Sequence, residues 1–236
     1  LLHIHHNAAA VAETAIGLLF SAAKRIPQMD RSLRQLDWRP RYAANPALRL
    51  AGKRALLLGY GEIGARIESI LRAIGVNVVV IRRVPRAVGE QTVDALPTLL
   101  PNADILISTL PSTPMTRGLI GAPELNLLPP HAVIVNVGRA DVFDECALYG
   151  ALKQGSIGSA ALDVWYHYPS DEASRVGTAP SAYPFEELTN VVLSPHSSGH
   201  DTEVESDRVR CVAEVVAAIT AGEDVASWAV DLVAGY

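Results

Sequence analysis

Cysteine is scarce: two in 236 residues, Cys146 and Cys211, far apart and without metal-ligand spacing. That excludes a disulfide scaffold and a thiolate metal centre, and it points to a reducing, cytoplasmic setting with both thiols as small buried hydrophobes. Positive charge is also short. Twenty basic residues, only three of them Lys, face twenty-five acids, for a net charge of −5. The footprint of a nucleic-acid-binding protein is missing. No apolar run is long enough to cross a bilayer, because residues 8–23 are interrupted by Glu13 and Thr14. The first residues lack the charged start and cleavage pattern of a signal peptide, and the chain does not begin with Met.

What is present is an ordinary globular balance, 49% hydrophobic and 19% charged, in a chain able to bury a sizeable core. Asn7 before an Ala-rich run predicts an N-capped helix reaching Lys24 and ended by Pro27. A loop with Pro40 and Pro46 follows, over 37–50. From Gly52 onward, strand and helix alternate. Short runs rich in Val and Ile at 55–58, 77–81, 105–109, 132–137, 159–164 and 191–194 lack clean alternation, as strands buried on both faces do. Ile63, Ile67, Ile70, Leu71 and Ile74 repeat at helical spacing. Further helices are expected over 144–153, closed near Gly155, and over 201–221, closed by Gly222. The irregular stretch 166–187 suggests a functional loop.

These elements predict an α/β fold, a doubly wound parallel sheet of the Rossmann type with strand order 3-2-1-4-5-6. The division is a helical arm and linker over 1–49, a dinucleotide-binding domain over 50–222 and a tail over 223–236. Gly59-Tyr60-Gly61-Glu62-Ile63-Gly64 sits between an apolar strand and an amphipathic helix, the context in which G-x-G-x-x-G grips a pyrophosphate. The first glycine allows the tight turn, the second lets backbone approach phosphate, and the third permits close helix–strand packing. The second strand ends in Arg82 and Arg83, with Arg86 close behind, where an acid would read a ribose 2′-hydroxyl. NADP is therefore favoured over NAD.

Thr109-Leu110-Pro111, Asn136 to Arg139, Asp163 and His196 each fall at or just past the carboxyl end of a predicted strand. That edge forms the ligand crevice of an open parallel sheet, so a cation, a carboxylate and an imidazole converge there. The histidines at 3, 5 and 6 read as a solvated terminal cluster. His196 and His200 are four apart, as on a metal-binding helix face, but no third ligand has a recognisable position, so no metal is expected.

The chain resembles the D-2-hydroxyacid dehydrogenase family. The matching segments are Asn7 to Glu13, Gly59 to Gly64, Leu110 to Thr116, Asn136 to Ala140, Leu162 to Trp165 and Ser194 to Gly199. The resemblance implies hydride transfer between a nicotinamide cofactor and a small D-2-hydroxy or 2-oxo acid. It would make Arg139 the anchor of the substrate carboxylate and His196 the acid/base. Asp163 would orient the nicotinamide carboxamide, with Glu62 and Ile63 facing the pyrophosphate. Pro111 and Thr116 would flank the cofactor, and Asn7 would border the substrate domain. Tyr168 stands where the family pairs its histidine with Glu, leaving Asp171 or Glu172 to fold back as substitutes. Formate dehydrogenases in the family also place a non-acid there, which keeps a hydride transfer without a proton relay as an alternative. The segments matching the family's substrate domain are largely absent, which implies a fragment or a catalytically idle nucleotide-binding module. The apolar helix over 8–23 resembles the family's dimer-forming arm and implies a homodimer.

Overall fold

In the computed structural model, residues 2–43 and 47–230 are described, apart from the side chain of Ser227. Pro46 and the end of the tail expected over 223–236 lie outside the described residues. Helix α1 (Ala8–Lys24) is followed by α2 (Ile26–Arg34). Then come β1 (Arg54–Leu58), α3 (Glu62–Ala73), β2 (Asn77–Ile81), α4 (Leu96–Leu99), β3 (Ile105–Ser108) and α5 (Ala122–Leu125). β4 (Val133–Asn136), α6 (Glu145–Gln154), β5 (Ser159–Leu162), β6 (Val191–Leu193) and α7 (Val204–Thr220) complete the chain.

Six parallel strands form one sheet in the order β2-β1-β3-β4-β5-β6. The expected order 3-2-1-4-5-6 is therefore corrected. The third run, expected outside β2, instead pairs with β1 and β4, and the stretch 82–95 beyond β2 carries Pro85 and Gly89 and is mostly exposed. It reaches the sheet only through one parallel bridge, Gln91 to Ile81. Winding still reverses beside β1, so the crevice between β1 and β3 is the switch point where such sheets bind ligands.

Both faces are covered. Leu56, Leu58, Leu106, Ile134 and Leu162 pack with Leu96, Leu125, Leu148 and Phe185 on one side. Ala55, Leu57, Ile107, Val135 and Ala161 pack with α1 and α3 on the other. The carboxyl ends of β3, β4, β5 and β6 stop one or two residues earlier than the apolar runs suggested. Thr109, Val137, Asp163 and Ser194 are left just past the sheet edge. Asp144 caps α6 by accepting from the Ala147 amide at 2.8 Å, and Gly155 closes it at φ 70°.

Four details depart from expectation. Asn7 makes no side-chain cap on α1; its amide is turned elsewhere, as described below. Pro27 does not end a helix but opens α2, after Arg25 takes a left-handed conformation. No residue of α2 is buried, and its apolar residues Ile26 and Leu33 face outward. The cysteines are not core residues: Cys146 is exposed on the first turn of α6, and Cys211 is part-exposed on α7, which buries only Val215 and Ala218.

Helix α1 packs against α3 and lies over β4 and β5, with Leu19 and Ala15 fully buried. Its apolar face is thus covered by the chain's own sheet. Leu19→Ala should destabilise the fold by about 2–5 kcal/mol through lost burial plus a cavity. Leu36→Ala, at a residue 84% exposed, should change it by no more than about 0.5 kcal/mol. Denaturation midpoints of the two variants check this; equal effects would mean α1 is not a layer of the core.

Candidate active site

The turn after β1 is shaped by backbone contact. Gly59 has φ 93°, and a Cβ there would lie 2.7 Å from Thr109 Oγ1. A Cβ at Gly64 would lie 2.4 Å from the Gly59 carbonyl oxygen, so this glycine brings α3 down onto the turn. At Gly61 a Cβ would meet nothing within 4 Å. That open space is where a ligand can approach the backbone. Helix α3 starts at Glu62 without a side-chain cap, so its first amides offer partial positive charge to an anion.

Beyond β2 the chain is ordered by Glu90, eight residues past Arg82, which no motif in the sequence singled out. One Glu90 oxygen accepts from the Arg86 and Ala87 amides at 2.6 and 3.2 Å; the other pairs with Arg82 at 3.4 Å. The Arg86 amide, chiefly, holds the Glu90 carboxyl below its usual range. The Arg82 guanidinium also lies 5.5 Å from the centre of the Tyr60 ring. Arg82, Arg83 and Arg86 all line one cleft with Gly59, Gly61, Glu62, Ile63 and Gly64.

The loops after β3 and β4 touch. A Cβ at Gly138 would lie 2.4 Å from the Leu110 carbonyl oxygen. Asn136, 2% exposed, clamps this turn by accepting from the Gly138 amide at 3.1 Å and donating to the Arg139 carbonyl at 2.9 Å. Arg139 is left exposed at the cleft, with its guanidinium donating to the Gly138 carbonyl. It has no ion-pair partner among the described residues. Pro111 lines the cleft, but Thr116 does not: its hydroxyl donates to the Pro111 carbonyl at 2.6 Å and accepts from the Thr113 amide at 2.8 Å. Thr116 shapes the loop from inside.

Asp163 is likewise turned inward. It is fully buried and does not line the cleft; its carboxylate accepts from the Ser194 hydroxyl and from the Ser197 and Ser198 amides, the latter two at 3.0 and 3.2 Å. It clasps the loop that carries His196, whose backbone is left-handed at φ 57°.

His196 lies at the cleft beside Tyr168, their ring centres 5.4 Å apart. The Tyr168 hydroxyl accepts from the Trp165 amide at 3.0 Å. Neither alternative acid folds back: Asp171 accepts from Ser174 at 2.8 Å, and Glu172 pairs with Arg175 at 3.3 Å. Partial burial of the imidazole lowers its pKa from the usual value, with Asp163 opposing the effect and Arg139 and His200 adding to it. His196 and His200 lie in a loop before α7, not on a helix face.

The cleft encloses about 630 Å³ and is lined by five of the chain's seven histidines: His3, His5, His6, His196 and His200. Of the first three, His3 and His5 stay exposed, as expected of a terminal cluster, while their segment is brought to the cleft by pairing with residues 228 and 229. Leu2 bridges Ala229, and the His3 amide donates to the Trp228 carbonyl at 2.7 Å. Asn7 arrives with them and packs against Gly199, where a Cβ would lie 2.7 Å from its Nδ2. No local pattern signals such a pairing. Among the described residues, no three His, Cys, Asp or Glu side chains group to hold a metal, and no helix is long and apolar enough to cross a membrane.

Comparison with known proteins gives this geometry its context. The chain is 34% identical over 219 residues to a D-3-phosphoglycerate dehydrogenase of Methanocaldococcus jannaschii, covering 90% of the chain and 39% of that protein. It is 34% identical over 223 residues to a glyoxylate reductase of Aeropyrum pernix, covering 91% of the chain and 64% of that protein. The chain thus spans less than two thirds of these curated relatives. Among solved structures, a D-isomer specific 2-hydroxyacid dehydrogenase from Xanthobacter autotrophicus Py2, in complex with NADPH and MES, superposes with a TM-score of 0.80 at 31% identity. That match covers 100% of this chain and 93% of the other. An NADPH-dependent glyoxylate/hydroxypyruvate reductase from Sinorhizobium meliloti superposes at 0.76 with 30% identity, over 94% and 68% of the two chains. Residues 16–198 match the family described as D-isomer specific 2-hydroxyacid dehydrogenase, NAD binding domain, and the chain belongs to that family.

Proposed function

We propose that the cleft carries hydride transfer between a nicotinamide cofactor and a small D-2-hydroxy or 2-oxo acid. The observation behind this reading is the meeting of Arg139 and His196 at the carboxyl edge, in the same cleft as the glycine turn. The residues present suit a dinucleotide: the open backbone at Gly61 and the uncapped start of α3 are a cradle for a pyrophosphate. Gly59 to Gly64 and Pro111 would hold it, and when bound it supplies or accepts the hydride. Arg139, without an acidic partner, would anchor the substrate carboxylate and polarise the reacting carbonyl. His196 would donate the proton to the carbonyl oxygen in reduction and take it back in oxidation. Asp163 and Asn136 would keep these two groups in place rather than touch substrate.

NADP is the preferred cofactor in this reading, because Arg82, Arg83 and Arg86 line the cleft beyond β2. Charge-assisted contacts to phosphate are worth about 1.5–3 kcal/mol each, which is at least about tenfold in affinity. NADPH should bind at least about tenfold more tightly than NADH, and the double change Arg82→Ala with Arg83→Ala should remove the difference. Fluorescence titration with both cofactors reads this; equal or tighter NADH binding, indifferent to the change, would sink the preference.

A second copy of the chain is the other partner we infer. Its support is not α1, which is buried, but the exposed group Ile26, Leu33, Leu36, Trp38 and Tyr42 on and after α2. Sedimentation at micromolar concentration reads this, and a single-chain mass would refute it. The unpaired thiols of Cys146 and Cys211 support a cytoplasmic, reducing setting.

The proton step is tested through Tyr168. Reduction needs the imidazolium, and the His196 pKa is lowered, so reductive kcat/KM in the full-length protein should fall as pH rises from below the usual histidine value near 6.5. Tyr168→Glu puts a carboxylate beside the ring, raises its pKa and should move that limb to higher pH. His196→Ala should abolish 2-oxo acid reduction with cofactor affinity kept. Superimposable limbs for wild type and Tyr168→Glu, with activity surviving His196→Ala, would favour the proton-free transfer of formate dehydrogenases instead.

A further inference from the structure

The N-terminal histidines have no part in the chemistry just described, yet they are held at the same cleft. Their segment is fixed at both ends. At one end the His3 amide bonds Trp228; at the other the Ala8 amide donates to the His5 carbonyl at 3.1 Å and Asn7 abuts Gly199. Gly199 lies three residues after His196, so His6 and Asn7 sit on the side of the cleft where the reacting carbon would be. The rings of His3 and His5 are 4.2 Å apart, and His6 Nδ1 is buried without a hydrogen-bond partner. A buried ring nitrogen left without a partner is costly and is a natural place for a ligand to bond.

We propose that His3, His5 and His6 form a second anion subsite, which receives the distal acidic group of a dianionic 2-oxo acid whose first carboxylate is held by Arg139. This deepens the proposed reaction and rests on it. The substrate class is a 2-oxo acid with a second carboxylate, as opposed to a monocarboxylate such as pyruvate. The lining favours an anion over a metal ion, since no three of its side chains are grouped as ligands.

The charges facing this subsite decide its pH dependence. From the loop before α7 come His196 and His200; from α7 come Glu205 and Arg208, paired with each other at 3.3 Å; from the start of α3 comes Glu62. Arg139 faces it from the β4 loop, and the arginines after β2 lie along the same cleft. Two acids, one of them already paired, are outnumbered by fixed and titratable cations. Burial and then the proximity of His5 hold the His3 pKa below its usual value. Without an anion the His3 ring resists protonation. A bound carboxylate favours a charged imidazole, so by linkage its binding takes up protons and strengthens as pH falls through the histidine range.

The test is calorimetric titration of the chain, saturated with NADP⁺ to prevent turnover, with pyruvate and with 2-oxoglutarate at about pH 5.5 and about pH 7.5. At the lower pH 2-oxoglutarate should bind about tenfold more tightly than pyruvate, the size of one charge-assisted contact. Its binding heat should vary with buffer ionisation enthalpy in the sense of proton uptake. At the higher pH the preference should shrink to near unity. The triple change His3→Gln, His5→Gln and His6→Asn should collapse the preference at the lower pH. His5→Gln alone, at an exposed residue, should reduce it in a chain whose circular dichroism is unaltered. A preference that is absent, independent of pH or insensitive to these changes overturns the subsite while leaving the reaction intact. If neither acid binds at either pH, the functional reading fails and the subsite fails with it.

Discussion

Above the carboxyl ends of β1, β3 and β4 the chain closes so tightly that three positions have room only for glycine. Gly64 meets the carbonyl of Gly59, Gly59 meets Thr109, and Gly138 meets both the amide and the carbonyl of Leu110. The contacts form a chain, from the glycine turn through the β3 loop to the β4 loop. They set how far apart the α3 amides and the Arg139 guanidinium stand. A methyl group at Gly64 or Gly138 would push backbone against backbone, with no flexible side chain to give way. The site is therefore built on the sheet's own geometry, with the loops as thin connectors.

Polar side chains turned into the loops complete this frame. Asn136 pins the Arg139 turn, Asp163 pins the His196 loop, and Thr116 pins the turn after Pro111. Each is bonded mainly to backbone, so each fixes a loop conformation that water would otherwise loosen. The fully buried Asp163 also supplies the one negative charge that raises the His196 pKa, against the lowering by burial, Arg139 and His200. Its carboxylate thus holds the loop in place and opposes the loss of the imidazole's proton.

Much of this was legible from residue order alone. All six strands lie where continuous apolar runs placed them, because a strand covered on both faces cannot alternate. The glycine turn was legible because strand, turn and amphipathic helix follow one another locally. The strand order was not: the run 105–109, expected outside the second strand, pairs instead with β1 and β4, a choice that apolar content alone does not decide. The inward turn of Thr116 and Asp163 was hidden for another reason. The residue types suit either a ligand or a loop, and only the loop's path decides. The placement of His3, His5 and His6 depends on Leu2 meeting Ala229, a pairing across the length of the chain that carries no sequence signature.

The central claim is that the carboxyl edge between β1 and β3 binds a dinucleotide with its phosphates on the start of α3. Backbone amide NMR of the chain titrated with NADPH tests it most directly. Saturable shifts should appear, largest at Glu62, Ile63 and Gly64 and smaller at Arg139 and His196. An absence of saturable shifts, or shifts centred on the opposite edge around His131 and Asn190, would contradict it.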